Sequence, residues 1–237
     1  MTDASTLPTY RLDGNVAVIT FDDGKANVFG DDVLECLEAL LDRVEADGAR
    51  ALVLVGRPGR FSAGFDLKEM TAGVEAMQAL VVRGARWWLR LYGLGVPTVA
   101  ACTGHALAGG AITLMACDVR IGADIAAKIG LTEVAIGMAL PVFAVEFARD
   151  RLTKEAFVAA TLGGTAYDPA SAAAVGYLDR VVPADAVVDE AMTEARRLTE
   201  LRTGAYARTK VNARGPMIEA CLAGVEADMA TMDGPPT

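Results

Sequence analysis

His105–Asp118 reads HALAGGAITLMACD, an apolar helix with the glycine pair Gly109–Gly110 at its entrance. Each glycine inside a helix costs on the order of 1 kcal/mol relative to alanine. Two at one helix start call for a reason, either close backbone approach or amides left open to a ligand. The next residues, Ala111, Ile112 and Thr113, bring no acid or base. Ahead of the glycines, Thr98–Cys102 (TVAAC) has the look of a short buried strand, so the segment runs strand, glycine-bearing turn, helix.

A second segment of the same kind lies upstream. Ala51–Val55 (ALVLV) is a continuous apolar run, as in a strand covered on both faces, and it leads into Phe61–Met70 (FSAGFDLKEM). Tyr10–Asp13 and Asn15–Phe21 flank a D-G pair and predict a hairpin. Val33, Leu34, Leu37, Leu40, Leu41 and Val44 recur at helical spacing within Asp31–Ala46, and Val74–Tyr92 is helical too. Val119–Ile121 predicts a strand. Beyond Ala144 the pattern predicts helices over 144–151, 154–162, 169–175, 185–202 and 204–230, with a short strand at Leu178–Val182. Strands alternating with helices make the chain α/β with an α-rich last third. The expected division is a core over 1–183 and an α-helical C-terminal region over 184–237, with no internal repeat and a frayed tail, DGPPT (233–237).

Composition narrows the function classes. The 237 residues suit one large domain, or one with a small appendage, and 53% hydrophobic content allows a large core. A net charge of −9 without a basic run argues against nucleic acid, so an anionic ligand must be held by local groups. The four cysteines, Cys36, Cys102, Cys117 and Cys221, form no CxxC pair and read as free thiols in a cytoplasmic protein. MTDASTLPTY lacks a charged start followed by an apolar run, so no signal peptide is expected. The most apolar window, Val96–Met115, contains Pro97, His105 and three glycines, which suits a buried strand and helix better than a membrane span.

Several chemistries lack their parts. His105 is the one histidine, with no GxSxG elbow to serve, and reads as structural. There is no Walker loop or GxGxxG, and histidine-based metal sites lack ligands. What remains is carboxylates and backbone amides. In an α/β fold the turns FSAGFDLKEM and GHALAGG gather at one sheet edge, where ligands bind. One N–H from each could grip an oxygen that becomes negative during reaction, an effect worth about 3–4 kcal/mol per donor. On spacing alone, glycines that serve only packing fit the same pattern.

FSAGFDLKEM, GHALAGGAITLMACDVRIGAD and IGLTEVAIGMALP, in this order and with these gaps, resemble the enoyl-CoA hydratase/isomerase (crotonase) superfamily from about Tyr10 to Pro183. KANVF at 25–29 is similar to the family's early coenzyme A-binding segment. The resemblance implies a repeated ββα spiral core with a helical C-terminal region that trimerises, in some members as a dimer of trimers. It implies acyl-CoA thioester substrates, with no cofactor beyond the coenzyme A they carry. It puts the oxyanion donors on the amides of Phe65 and Gly109, with Gly110 allowing close approach. It assigns coenzyme A contacts to Lys25, Ala26, Asn27, Val28, Ala63, Gly64, Asp66, Leu67 and Lys68, the two lysines being candidate phosphate partners. Phe65 stands where the family often has alanine, so its ring is expected to reshape the acyl or pantetheine channel.

The hydratases of this family hold a water between two glutamates. Aligned on Asp118, the first falls on Ile112, which transfers no proton. IGLTE places the second at Glu133 if one extra residue is allowed between Asp118 and Ile129. Ile129, Leu131, Val134 and Ile136 around it would raise a carboxyl pKa. One carboxylate with an oxyanion hole suffices to move a proton between carbons but is poorly equipped to position water. The pattern is similar to the Δ3,Δ2-enoyl-CoA isomerase branch. Isomerisation is therefore favoured, with hydration and non-catalytic acyl-CoA binding as alternatives. Asp66 and Glu146 are the other acids within range, and Trp87–Trp88 reads as acyl channel or as packing.

Overall fold

The computed structural model describes residues 6–233; the first five residues and 234–237, most of the tail expected to fray, lie outside the described residues. The D-G pair makes the expected hairpin: β1 (Thr9–Asp13) pairs antiparallel with β2 (Val16–Thr20), and Gly14 turns at φ +60°. There follow β3 (Val28–Phe29) and α1 (Asp31–Ala46); β4 (Ala51–Val55), β5 (Gly59–Ser62), β6 (Gly64–Phe65), α2 (Leu67–Met70) and α3 (Val74–Gly93); and β7 (Thr98–Cys102), β8 (Gly104–Leu107) and α4 (Gly109–Ala116). Next come β9 (Val119–Asp124), β10 (Ile129–Gly130), the 3-10 turn Val134–Ile136, α5 (Val142–Arg151), α6 (Lys154–Thr161) and α7 (Pro169–Val175). The chain closes with β11 (Arg180–Pro183), α8 (Val187–Thr199) and α9 (Thr203–Met229).

A long strand, one or two short strands and a helix recur, as in the ββα spiral. The long strands form a sheet of order β1-β2-β4-β7-β9-β11, parallel after the first hairpin. The short ones form two small parallel sheets, β10-β8-β5 and β3-β6. The sequence has no repeat because each unit meets different neighbours, so only the architecture repeats. The short strands also correct the reading of GHALAGG and FSAGF as simple turns. Gly104–Leu107 is β8, and the second segment is split between β5 and β6. Two to four residues are too few to show a period. Val119–Ile121 extends to Asp124, and 185–202 contracts to 187–199.

The continuous apolar strands serve two cores. Leu52, Leu54, Ala100 and Cys102 face α1, α3 and α4, whereas Ala51, Val53, Val55, Val99 and Ala101 face the other way. There α8 lays Val187, Ala191, Met192, Ala195 and Leu198 on the sheet. The last helix, α9, is tied down by Asp118, the final residue of the opening stretch. That carboxylate accepts from Lys210 Nζ (2.7 Å), Arg214 (2.6 Å), Tyr206 OH (2.7 Å) and the Thr98 amide (2.8 Å). Burial alone would raise its pKa, but Lys210 and Arg214 outweigh burial and hold it below the ordinary value. No helix among the described residues is long and apolar enough to cross a membrane; the window Val96–Met115 is β7, β8 and α4.

Candidate active site

The glycine pair opens α4 directly after β8, and neither glycine has a positive φ. Space is what demands them. A Cβ on Gly110 would lie 2.3 Å from the Ser62 carbonyl oxygen, and one on Gly109 would lie 2.9 Å from the Trp88 ring. The strained residue is the one before them, Ala108, at φ +50° and ψ −118°. It turns the chain from strand to helix so that the Gly109 amide comes first in α4, where no carbonyl of the helix can accept it. Gly64, at φ +94°, lies against this corner: a Cβ there would sit 3.1 Å from the Gly109 nitrogen. The ends of the two turns, Gly64–Phe65 and Ala108–Gly109, thus meet backbone to backbone.

Trp88 of α3 supports the corner from below. Its Nε1 donates to Thr113 Oγ1 (2.8 Å), whose hydroxyl donates to the Gly109 carbonyl (2.8 Å). The Phe65 ring sits edge-on to Trp88 at 5.3 Å and lies over Gly84, where a Cβ would come within 2.7 Å of it. The phenyl group expected to reshape the channel is therefore accommodated partly by a glycine in α3. Trp87 and Trp88 are fully buried, and neither lines the cavity described below; their role is packing.

Across from this corner, Glu133 starts the 3-10 turn Val134–Ile136. Its carbonyl accepts the amides of Ile136 and Met138 (both 3.0 Å), Gly137 ends the turn at φ +82°, and Tyr177 OH accepts the Leu131 amide (3.3 Å). The backbone is fixed, but Oε2 of the side chain is shut off from solvent without a hydrogen-bond partner. Burial pushes the carboxyl up from 4.5 to about 7, against the lowering effect of its own amide and that of Thr132.

A cavity of about 310 Å³ lies between the corner and the turn. Of the residues singled out from sequence, Ala26, Val28, Ala63, Phe65, Leu67 and Glu133 line it. So does Ile112, and Glu133 is the one ionisable group in the lining among the described residues. The other expected contacts stand outside that lining. Asn27 is buried at φ +53°, and its side-chain amide donates to the carbonyls of Phe21 (2.9 Å), Arg60 and Phe61 (both 3.2 Å). It thereby staples the 22–28 loop to β5 and presents Ala26 and Val28. Asp66 caps α2, accepting from the amides of Lys68 (2.7 Å) and Glu69 (3.3 Å). Lys25 is exposed on the loop that carries Ala26, and Lys68 is exposed on α2 next to Leu67. Gly64 and Gly109 stand behind the wall with their backbones in contact. Gly110 is a correction, since its close approach is to Ser62 rather than to the cavity.

Other sequence readings resolve in the same way. Glu146 sits on α5 beside Arg149 (3.2 Å), and like Asp66 it does not reach the lining. His105 accepts the Lys128 amide at Nδ1 (3.1 Å), a structural bond between β8 and the strand that follows it in the small sheet. Sequence reasoning missed Ala108 and Thr132 in the lining and Thr113 beneath it. Only Thr113, a hydroxyl inside an apolar helix, carried a signal.

The α/β spiral thus sets one carboxyl group, Glu133, and the backbone corner of Gly64–Phe65 and Ala108–Gly109 around one cavity. The chain belongs to the family described as enoyl-CoA hydratase/isomerase, whose model matches residues 11–233. It is 40% identical to a probable enoyl-CoA hydratase of Bacillus subtilis over 139 residues, 57% of this chain and 53% of that protein. It is 34% identical to the human mitochondrial enoyl-CoA delta isomerase 1 over 182 residues, 75% of this chain and 60% of that protein. The matches thus span little more than half the length of these two relatives. The crystal structure of an enoyl-CoA hydratase/isomerase family protein from Pseudomonas syringae superposes with a TM-score of 0.93 at 37% identity, covering 95% of this chain and 98% of that one.

Proposed function

We propose that the protein isomerises 3-enoyl-CoA thioesters to 2-enoyl-CoA, with Glu133 as the single acid/base. The observation that carries this reading is the Glu133 carboxyl, its Oε2 buried without a partner, lining a cavity with no second carboxyl among the described residues; Ile112, where the resemblance puts the hydratases' first glutamate, lines it instead. The thioester oxygen lies at the amides of Phe65 and Gly109. Glu133, ionised, takes the proton from the carbon next to the thioester, and the negative charge passes onto the oxygen held by the two amides. The same carboxyl returns that proton two carbons further along, and the double bond moves into conjugation. No proton is gained or lost overall. A carboxyl near 7 is matched to both halves of this cycle at neutral pH.

Coenzyme A leaves the cavity past Ala26, Ala63 and Leu67, with Lys25 and Lys68 free to meet its phosphates. The protein acts in the cytoplasm, in keeping with four free cysteines. It assembles as a trimer or dimer of trimers, and the exposed apolar side chains Ile136, Val158 and Leu162 support burial against another copy. Hydration is the second reading, favoured by the name of the Bacillus relative. The test is Glu133→Gln. Loss of 3-enoyl-CoA turnover with retained acyl-CoA binding supports the proposal, and a fully active variant overturns it. Tight binding by the wild type without turnover of 2- or 3-enoyl-CoA would mark a non-catalytic binder.

A further inference from the structure

The cavity does not end in solid protein. A second pocket of about 300 Å³ adjoins it and opens at the surface, lined by the exposed Gly137, Thr231 and Asp233 and the half-buried Leu140 and Asp228. Met232 and Ala139 line both spaces. These two residues stand as the partition between an apolar cavity and a polar pocket open to solvent. Met232 follows α9, and its carbonyl accepts from the Gln78 side chain of α3 (3.2 Å). The same chain end is held to α5 through Asp228, whose carboxylate accepts the Val142 amide (2.8 Å). The partition is therefore strapped in place from two helices, and it is made of one flexible side chain and one small one.

We infer that Met232, with Ala139 opposite, is the end-stop that sets the length of acyl chain this protein accepts. The inference rests on the acyl-CoA reading of the site. If the thioester is anchored at the Phe65 and Gly109 amides and coenzyme A leaves past Ala26 and Leu67, the acyl tail takes the remaining wall. That wall is apolar, from Met77 and Val81 of α3 and from Met229 and Met232 at the C-terminal end. A cavity of about 310 Å³ that must also take the thioester leaves room for a chain of limited length. A longer chain would have to push Met232 aside and emerge into a surface pocket lined by Asp228, Thr231 and Asp233, where apolar carbon stays in contact with water.

Binding of saturated acyl-CoA esters of increasing length, read by calorimetry, tests this without any chemistry. For wild type, each added methylene should tighten binding about fourfold, the fold-change equivalent to about 0.8 kcal/mol per buried CH2, until the chain meets the stop and the gain ceases. Met232→Ala should move that break to longer chains, and Ala139→Leu should move it to shorter ones. A break that neither substitution moves overturns the end-stop and leaves the acyl-CoA reading intact. Failure of the wild type to bind any acyl-CoA overturns both.

Discussion

The two walls of the cavity are built on opposite principles. The α4 corner is rigid backbone: its glycines are pressed on Ser62 and Trp88, its first turn is held by Thr113, and the groups proposed to bind there are amides that never change charge. The Glu133 turn is fixed in backbone, yet it ends in a side chain with an oxygen that has no partner. Stabilising a developing charge needs donors that do not reorganise. Carrying a proton between two carbons needs a group free to reach both. One wall is therefore locked, and the other holds its reactive group in reserve.

Breaking the Glu133 half should have the largest effect. Glu133→Gln should lower kcat on 3-enoyl-CoA by about 100- to 10,000-fold, the usual contribution of a positioned acid/base, with acyl-CoA affinity nearly retained. The same substitution should stabilise the fold at high pH. A carboxyl raised from 4.5 to about 7 contributes fully to stability below its unfolded value, and the contribution is lost as pH rises through its folded value. Above pH 8 Glu133→Gln should therefore exceed wild type by up to about 3 kcal/mol in denaturant unfolding, with the gap closing below pH 4.5. For wild type, kcat/KM should rise as pH passes about 7, because the base must start ionised.

The locked half should answer in stability. Gly110→Ala sets a methyl 2.3 Å from a backbone oxygen, so it should cost about 1–3 kcal/mol in unfolding and lower kcat by displacing the corner. Smallest in its effect on turnover is Trp88→Phe, which removes the bond to Thr113 and leaves a cavity where the indole packed. It should cost about 2–4 kcal/mol in unfolding and reduce kcat only several-fold with little change in KM. If either left kcat untouched, the corner would be only packing.

The same contrast explains what could be read from sequence. ALVLV, TVAAC and the helix Asp31–Ala46 were legible because five or more residues with one burial pattern identify an element. β5, β6, β8 and β10 were not, because their pairing depends on distant strands. The Gly109–Gly110 pair signalled a special corner, but the unusual φ belongs to Ala108 and the need for Gly110 comes from Ser62. No local pattern carries either fact. Nor could sequence separate the rim from its supports: Asn27 and Asp66, expected to contact coenzyme A, spend their side chains on the loop and on α2. Burial does raise the Glu133 pKa, as expected from IGLTEVAI, but of the apolar residues named there only Ile136 lines the cavity with it, and Val134 is exposed.

The most direct test of single-base proton transfer is a mass-spectrometric assay of wild type given 3-enoyl-CoA and 2-enoyl-CoA side by side. The 3-enoyl thioester should convert to the conjugated isomer at unchanged mass, and the 2-enoyl thioester should gain no water. A 2-enoyl-CoA that becomes heavier by one water while 3-enoyl-CoA persists would contradict single-base proton transfer.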